Sequence, residues 1–358
     1  MPRPTLRLYA TTVSLLLVSG LTACSTDVAA TDPSESASSP AASALTARER
    51  PASCDDWYVA DRDVPEPSPG PAAEKTVDTG IEKTTVPANI SHAVGFYPID
   101  IDMLLTLGIP LKETQPKDDR VEDFPCYFPH NVLGGLKLFN NYPDFDYDTL
   151  LLAKPDFILN SLGGDKKVVK RLPEIAPTYS YNFYAGYWMD SFEKVAEDLG
   201  RTEEYDAYVA TYKEKLAQAI ADIKEAQGTD DLSTITVAPV DWYWGDNVQL
   251  TCLYDNLCTV LRDLGLTVDP LAEADDLEGT SISAEQFGKL SGIDYAFYPA
   301  GEAGFVEKKN AELAGNSLWT GLPFVKDDHI AAFEYGISFG GPSGQLAFLE
   351  IVRRALTG

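Results

Sequence analysis

Positive charge is scarce in this chain. Lysine and arginine number 28 against 55 aspartates and glutamates, so the formal net charge is −27. A polyanion of that kind repels nucleic acid and anionic lipid headgroups, which makes both poor partners. Histidine is rarer still. His92, His130 and His329 are the three present, and little general acid–base chemistry can rest on them. No P-loop, glycine-rich dinucleotide fingerprint or zinc-protease motif occurs. Gly340-Gly341-Pro342-Ser343-Gly344 has the look of a nucleophile elbow but lacks the strand-to-helix frame that would expose a catalytic serine. These absences argue against an enzyme and leave a hydrolase as a remote alternative. The uncharged, mostly apolar stretch over residues 8–21 is too short to span a hydrocarbon core of ~30 Å. What remains is 358 residues at 44% hydrophobic, material for one or two globular cores.

The short apolar stretch has signal-peptide flanks. Arg3 and Arg7 precede it, and Leu21-Thr22-Ala23-Cys24 closes it. That ending resembles the lipobox of bacterial lipoproteins. The resemblance implies cleavage after residue 23, a diacylglycerol thioether on Cys24 and a further acyl chain on the new amine, enough for stable anchoring. Residues 25–50 are mostly Ala, Ser, Thr, Pro and Asp, with one leucine and no aromatic residue, too little apolar surface to offset the entropy of ordering. Residues 24–75 are therefore expected to be a disordered tether and N-terminal extension. Four further cysteines, Cys54, Cys126, Cys252 and Cys258, allow three pairings. A short loop can close between Cys252 and Cys258, which leaves Cys54 for Cys126. A zinc site would want a CxxC spacing that is missing.

The middle of the chain repeats itself. Residues 148–159 and 286–297 align so that Leu152 falls on Leu290, Asp156 on Asp294, Phe157 on Tyr295 and Leu159 on Phe297. Upstream of each lies an amphipathic helical pattern ended by Gly108 or Gly265, where a left-handed residue is wanted. Each half reads as strand, helix, Leu-Gly turn, helix and Asp-led apolar strand, an alternation that argues for parallel sheets covered by helices. Between the halves, Tyr205, Tyr208, Val209, Tyr212, Leu216, Ala219, Ile220 and Ile223 recur at threes and fours, predicting one long helix over 202–227. The expected fold is α/β: two Rossmann-like lobes, 76–201 and 228–358, with mainly parallel sheets, joined by that single helix.

A lipidated, two-lobed α/β chain with one linking helix resembles the substrate-binding lipoproteins of ATP-binding-cassette importers that take up ferric siderophores, haem and cobalamin. Local text agrees. Leu107-Gly108-Ile109 is similar to the exit of that family's first helix. Tyr142-Pro143-Asp144-Phe145-Asp146 followed by Lys154-Pro155-Asp156 is similar to its helix, Lys-Pro-Asp, strand signature. Ser283-Ala284-Glu285-Gln286-Phe287 is similar to the second-lobe counterpart, and Leu318-Trp319-Thr320-Gly321-Leu322-Pro323 to its late Trp, Leu-Pro segment. The resemblance covers residues 80–357. It implies capture of a ferric siderophore between the lobes and delivery to a membrane permease and its ATPase, by a monomeric, extracytoplasmic, lipid-anchored protein without a resident cofactor.

Ligands of such folds sit where the carboxyl ends of the strands of both lobes face each other. The segments after the expected strands are rich in aromatic residues. Candidate ligand contacts are Phe96, Tyr97, Tyr127, His130, Tyr184, Tyr187, Trp242, Tyr243, Trp244 and Tyr335. Three successive rings at 242–244 cannot all point inward from an extended segment, so at least one should face the cleft or solvent. No basic residue lies between Gly228 and Arg262, and Lys117, Arg120 and Lys137 are the nearby cations of the first lobe. A trianionic catecholate chelate would call for several cations, so a neutral or cationic ferric hydroxamate is preferred. Haem is the runner-up, with His130 or Tyr243 as axial candidates. No His, Asp and Glu cluster at ligand spacing argues for direct metal binding. The resemblance also implies an acidic residue on each lobe tip that meets the permease; Asp165 and Glu285 are the matching candidates.

Overall fold

The computed structural model describes residues 46–358 except 56, 58–60, 120, 243–246, 253–254, 274–278 and 302–303. The expected signal peptide, Cys24, Tyr243 and Trp244 therefore lie outside the described residues. In the first lobe, strands Ala93–Gly95, Phe157–Asn160 and Thr178–Ser180 form a parallel sheet in that order. A second parallel pair, Thr114–Asp118 with Lys137–Tyr142, lies beside it. The buried Gln115 amide stitches the two together, accepting from Gly95 N–H and donating to Ala93 C=O. Among the described residues the second lobe has a six-stranded sheet. Thr236–Asp241, Thr267–Val268, Tyr295–Ala300 and Ile330–Glu334 run parallel, and Val248–Leu250 and Thr280–Ile282 complete one edge antiparallel. Every residue of Tyr295–Ala300 is buried, as expected of a central strand covered on both faces.

The repeated aspartates have the same job in both lobes. The Asp156 carboxylate accepts the backbone N–H groups of Ser91 and His92, and that of Asp294 accepts Thr236 N–H. Each sits at the entry to its own strand and pins the entry of the parallel neighbour, fixing register where the ladder has not yet begun. Gly108 and Gly265 both have positive φ, 60° and 81°, just past helices Pro98–Thr106 and Asn256–Asp263.

The connecting helix runs over Thr202–Gln227, and its buried residues are Tyr208, Tyr212, Ala219 and Ile223, on the expected face. It does not hold the lobes alone. The terminal helix Pro342–Thr357 lies along it, with Tyr208 donating its hydroxyl to Gln345 at 2.6 Å and Arg353 paired with Asp222 at 3.1 Å. The hydrophobic cores also meet. Phe124, Tyr127, Phe128 and Leu133 of the first lobe pack into the cluster built around the second-lobe sheet.

The segment expected as a tether up to residue 75 is instead bound to the body from Thr46 onward. Its order comes from directional partners rather than apolar burial. Arg48 bonds the Asp123 carboxylate at 2.7 Å and the Leu136 carbonyl at 2.7 Å. Arg62 reaches Asp102, Thr106 and Ser343, and Arg201 donates to the Ser68 carbonyl. Cys54 is bonded to Cys126 and Cys252 to Cys258.

Candidate functional site

Between the lobes lies a cleft of about 550 Å³. The first lobe supplies Tyr97, at the start of helix Pro98–Thr106, then Lys117, Asp118 and residues 121–127. The second supplies Ala300 and Gly301, after one central strand, and Glu334, Tyr335, Gly336 and Phe339, after its neighbour. These are carboxyl-terminal strand ends and helix starts, the positions where a doubly wound sheet presents ligands.

Tyr97 is aimed by the buried carboxylate of Asp100. That group accepts Tyr97 N–H at 2.9 Å, Ser161 N–H and hydroxyl at 3.1 Å, and the Tyr181 hydroxyl at 2.9 Å. Burial outweighs these four donors and pushes the Asp100 carboxyl up to about 7. The Tyr97 ring meets Phe339 of the other lobe edge-on, with centroids 6.3 Å apart, and Phe339 meets Tyr335 at 5.3 Å. Tyr127 closes the floor. A β-carbon on Gly336 would stand 2.9 Å from the Tyr127 hydroxyl, so only glycine lets the second-lobe backbone approach this ring.

The charge of the wall is acidic. Among the described lining residues Asp118, Glu122, Asp123 and Glu334 stand against Lys117, and Asp123 is paired with Arg48. Lys117 donates to the carbonyls of Asp118 and Val121. Glu334 reaches across the cleft and accepts Cys126 N–H at 2.9 Å. Burial pushes its carboxyl up to about 7, against the hydrogen bonds from Cys126 and Tyr127 that favour the anion. A raised value means that Glu334 is neutral below about pH 7 and anionic above it. Affinity for a cationic guest is expected to rise as pH passes from 6 to 8, and Glu334→Gln to flatten that rise. Titration calorimetry across the range checks this; an affinity independent of pH in the parent would refute it.

Tyr97, Tyr127 and Tyr335 of the sequence candidates line this cleft. Phe96 does not: it is 1% exposed and packs on Phe145 and Tyr147, because successive side chains of an extended segment alternate and Tyr97 has taken the cleft side. Trp242 is buried against Phe287 and Trp319 inside the second lobe and does not line the cleft. His130 is 1% exposed, its Nε2 lies 3.2 Å from the Pro125 carbonyl, and burial holds its pKa below the usual value. It does not reach the cleft as a haem ligand would. Tyr184 is exposed on the face of Phe183, and Tyr187 accepts from the Gln345 amide where the first lobe meets the terminal helix. His92 and His329 bond Ser91 and the Asp294 carbonyl near the strand entries. Among the described residues no group of three or more His, Cys, Asp or Glu is placed to hold a metal ion.

Sequence reasoning missed Glu334, Phe339, Asp118 and Trp57. The signal for Glu334 was available: an acid directly after an apolar strand, at its carboxyl end.

Residues 112–334 match the model of the periplasmic binding protein family, which is more than half of the chain. The chain belongs to that family. It is a family of extracytoplasmic binding proteins rather than enzymes. Among the described residues no helix is long and apolar enough to cross a membrane. A curated relative is the iron(3+)-hydroxamate-binding protein FhuD of Bacillus subtilis, 25% identical over 215 residues; the match spans 57% of this chain and 63% of the relative. Staphylococcus aureus SirA, solved with staphyloferrin B, superposes with a TM-score of 0.62 at 20% identity, covering 79% of this chain and 98% of that one. Vibrio cholerae FhuD, solved with Fe3+-Desferal, gives 0.59 at 17% identity, over 75% of this chain and 99% of that one. These likenesses show the shared two-lobed fold of this periplasmic binding protein.

Proposed function

We propose that this periplasmic binding protein captures a ferric siderophore of the hydroxamate type, neutral or cationic, and delivers it to an ATP-binding-cassette permease for iron uptake. The observation that carries the reading is the cleft itself: aromatic walls from both lobes around an acidic rim. Such a site favours a bulky chelate with an apolar periphery and opposes a trianionic catecholate. The names of the relatives support iron chelates as cargo: one is named for iron(3+)-hydroxamate and another was solved with Fe3+-Desferal. Iron enters as part of the cargo, held by the chelator's oxygens.

Docking and anchoring belong to the same proposal. Asp165 caps helix Lys166–Arg171, accepting Lys167 N–H at 2.8 Å, and remains exposed. Glu285 lies exposed in the first turn of Ala284–Gly292 and accepts the Ser283 hydroxyl at 2.8 Å. Both carboxylates are held forward by their own helix starts, available to permease arginines. Acylation of Cys24 would keep the protein at the outer face of the membrane.

The test is tryptophan quenching with four iron compounds: the ferric Desferal chelate, a neutral ferric trihydroxamate, a ferric triscatecholate and hemin. The hydroxamates are expected to saturate at micromolar concentration or below. The triscatecholate should bind about 100-fold more weakly, since like charges in the site cost several kcal/mol. Tightest binding by the triscatecholate or by hemin would overturn the assignment.

A further inference from the structure

We propose that the N-terminal strap is part of the binding site, with Trp57 as a third wall that contacts the cargo and sets which chelates fit. The proposal rests on the cleft being the cargo site and adds a segment that precedes both lobes. Pro51, Ser53 and Trp57 line the cleft together with the residues of the two lobes. The indole belongs to neither hydrophobic core. It is half-buried, and its surroundings include a second hollow lined by His329, Ile330 and Arg354 of the second lobe. A tryptophan outside both cores and turned to a cleft is placed for contact rather than for packing.

The strap is built to hold that position. Its ends are drawn together by the Arg50–Asp61 ion pair at 2.6 Å, and Asn131 binds both Asp61 and the Arg62 carbonyl. On one side of Trp57, the turn Ala52–Cys54 is bonded through Cys54 to Cys126, which itself lines the cleft beside Tyr127. Trp57 N–H donates to the Cys54 carbonyl at 3.1 Å, so the covalent anchor and the indole are one turn apart. On the other side Arg62 is fixed to Asp102 and Ser343. An aromatic face held against an acidic rim suits a chelate with an apolar periphery and positive charge.

The experiment compares Trp57→Ala and Trp57→Phe with the parent, in the full mature chain, using the ferric Desferal chelate and titration calorimetry. Trp57→Ala is expected to weaken binding about tenfold with an unchanged melting temperature, and Trp57→Phe to recover most of the loss. In the Cys54→Ser/Cys126→Ser background, adding Trp57→Ala should cost little more, because the indole is no longer held in place. Binding of Trp57→Ala within twofold of the parent, or fully additive losses, would overturn the proposal. If no ferric hydroxamate binds the parent, the cargo assignment fails by itself. The wall is then read with the neutral apolar dye Nile red: weaker dye binding to Trp57→Ala supports it, and equal binding refutes it.

Discussion

Replacing Asp102 by alanine is expected to cost about 3–5 kcal/mol of stability, a large part of what a protein of this kind has. Asp102 is 1% exposed on helix Pro98–Thr106 of the first lobe. Its carboxylate accepts the Ser343 N–H at 2.7 Å and the Ser343 hydroxyl at 2.6 Å, from the start of the terminal helix, and Arg62 of the strap at 3.1 Å. Arg62 also donates to Ser343 and Thr106. One carboxylate therefore joins three parts of the chain that are far apart in sequence. Without it, a guanidinium that is 13% exposed loses its counter-charge, and a buried helix start loses its acceptor. Chemical denaturation at neutral pH measures the loss as a lower midpoint with an unchanged slope. Arg62→Ala combined with Asp102→Ala should be less damaging than the sum of the two single changes, because the stranded charge is removed with its partner. A loss below about 1 kcal/mol, or strict additivity, would show that the three parts are not coupled through this group.

The same network bears on how the lobes move. The connecting helix is one link, the terminal helix packed along it is a second, and Asp102 with Ser343 is a third. Phe128 and Leu133 of the first lobe inside the second-lobe core add apolar continuity. A hinge with that many fixed points is expected to allow a small closure of the cleft rather than a wide clamshell motion.

Much of this frame is legible in the residues. The aspartates at 156 and 294 announce a repeated strand entry because each pins its neighbour's first amide, and the three-and-four spacing from Tyr205 to Ile223 gives the connecting helix. The glycines at 108 and 265 mark the ends of their helices because the backbone takes positive φ there. The site is harder to read, for a physical reason. Aromatic residues at strand ends serve core and cleft equally well, and a single step along the chain decides between them: Phe96 turns inward while Tyr97 lines the cleft. The strap is harder still. Its composition has no apolar period, and it is ordered by pairs such as Arg48 with Asp123 and Arg62 with Asp102, separated by 75 and 40 positions. Nothing local in the sequence reports such partners.

The two disulfides should then differ sharply in what they contribute. Cys54–Cys126 spans 72 positions and Cys252–Cys258 spans six. On a chain-entropy treatment, the longer link restricts the unfolded ensemble by about 4.4 kcal/mol at 25 °C and the shorter by about 2.2 kcal/mol. Cys54→Ser/Cys126→Ser is thus expected to lose roughly twice as much stability as Cys252→Ser/Cys258→Ser. The longer link also has a local role, since it fixes the Ala52–Cys54 turn against the loop that carries Tyr127. Thermal melts of the two double variants, with and without ferric chelate, separate the contributions. Loss of Cys54–Cys126 should lower both the melting point and the chelate-induced rise in it; loss of Cys252–Cys258 should lower the melting point and leave that rise intact. Equal losses from the two variants would mean that native-state contacts, rather than restriction of the unfolded chain, govern what these links contribute.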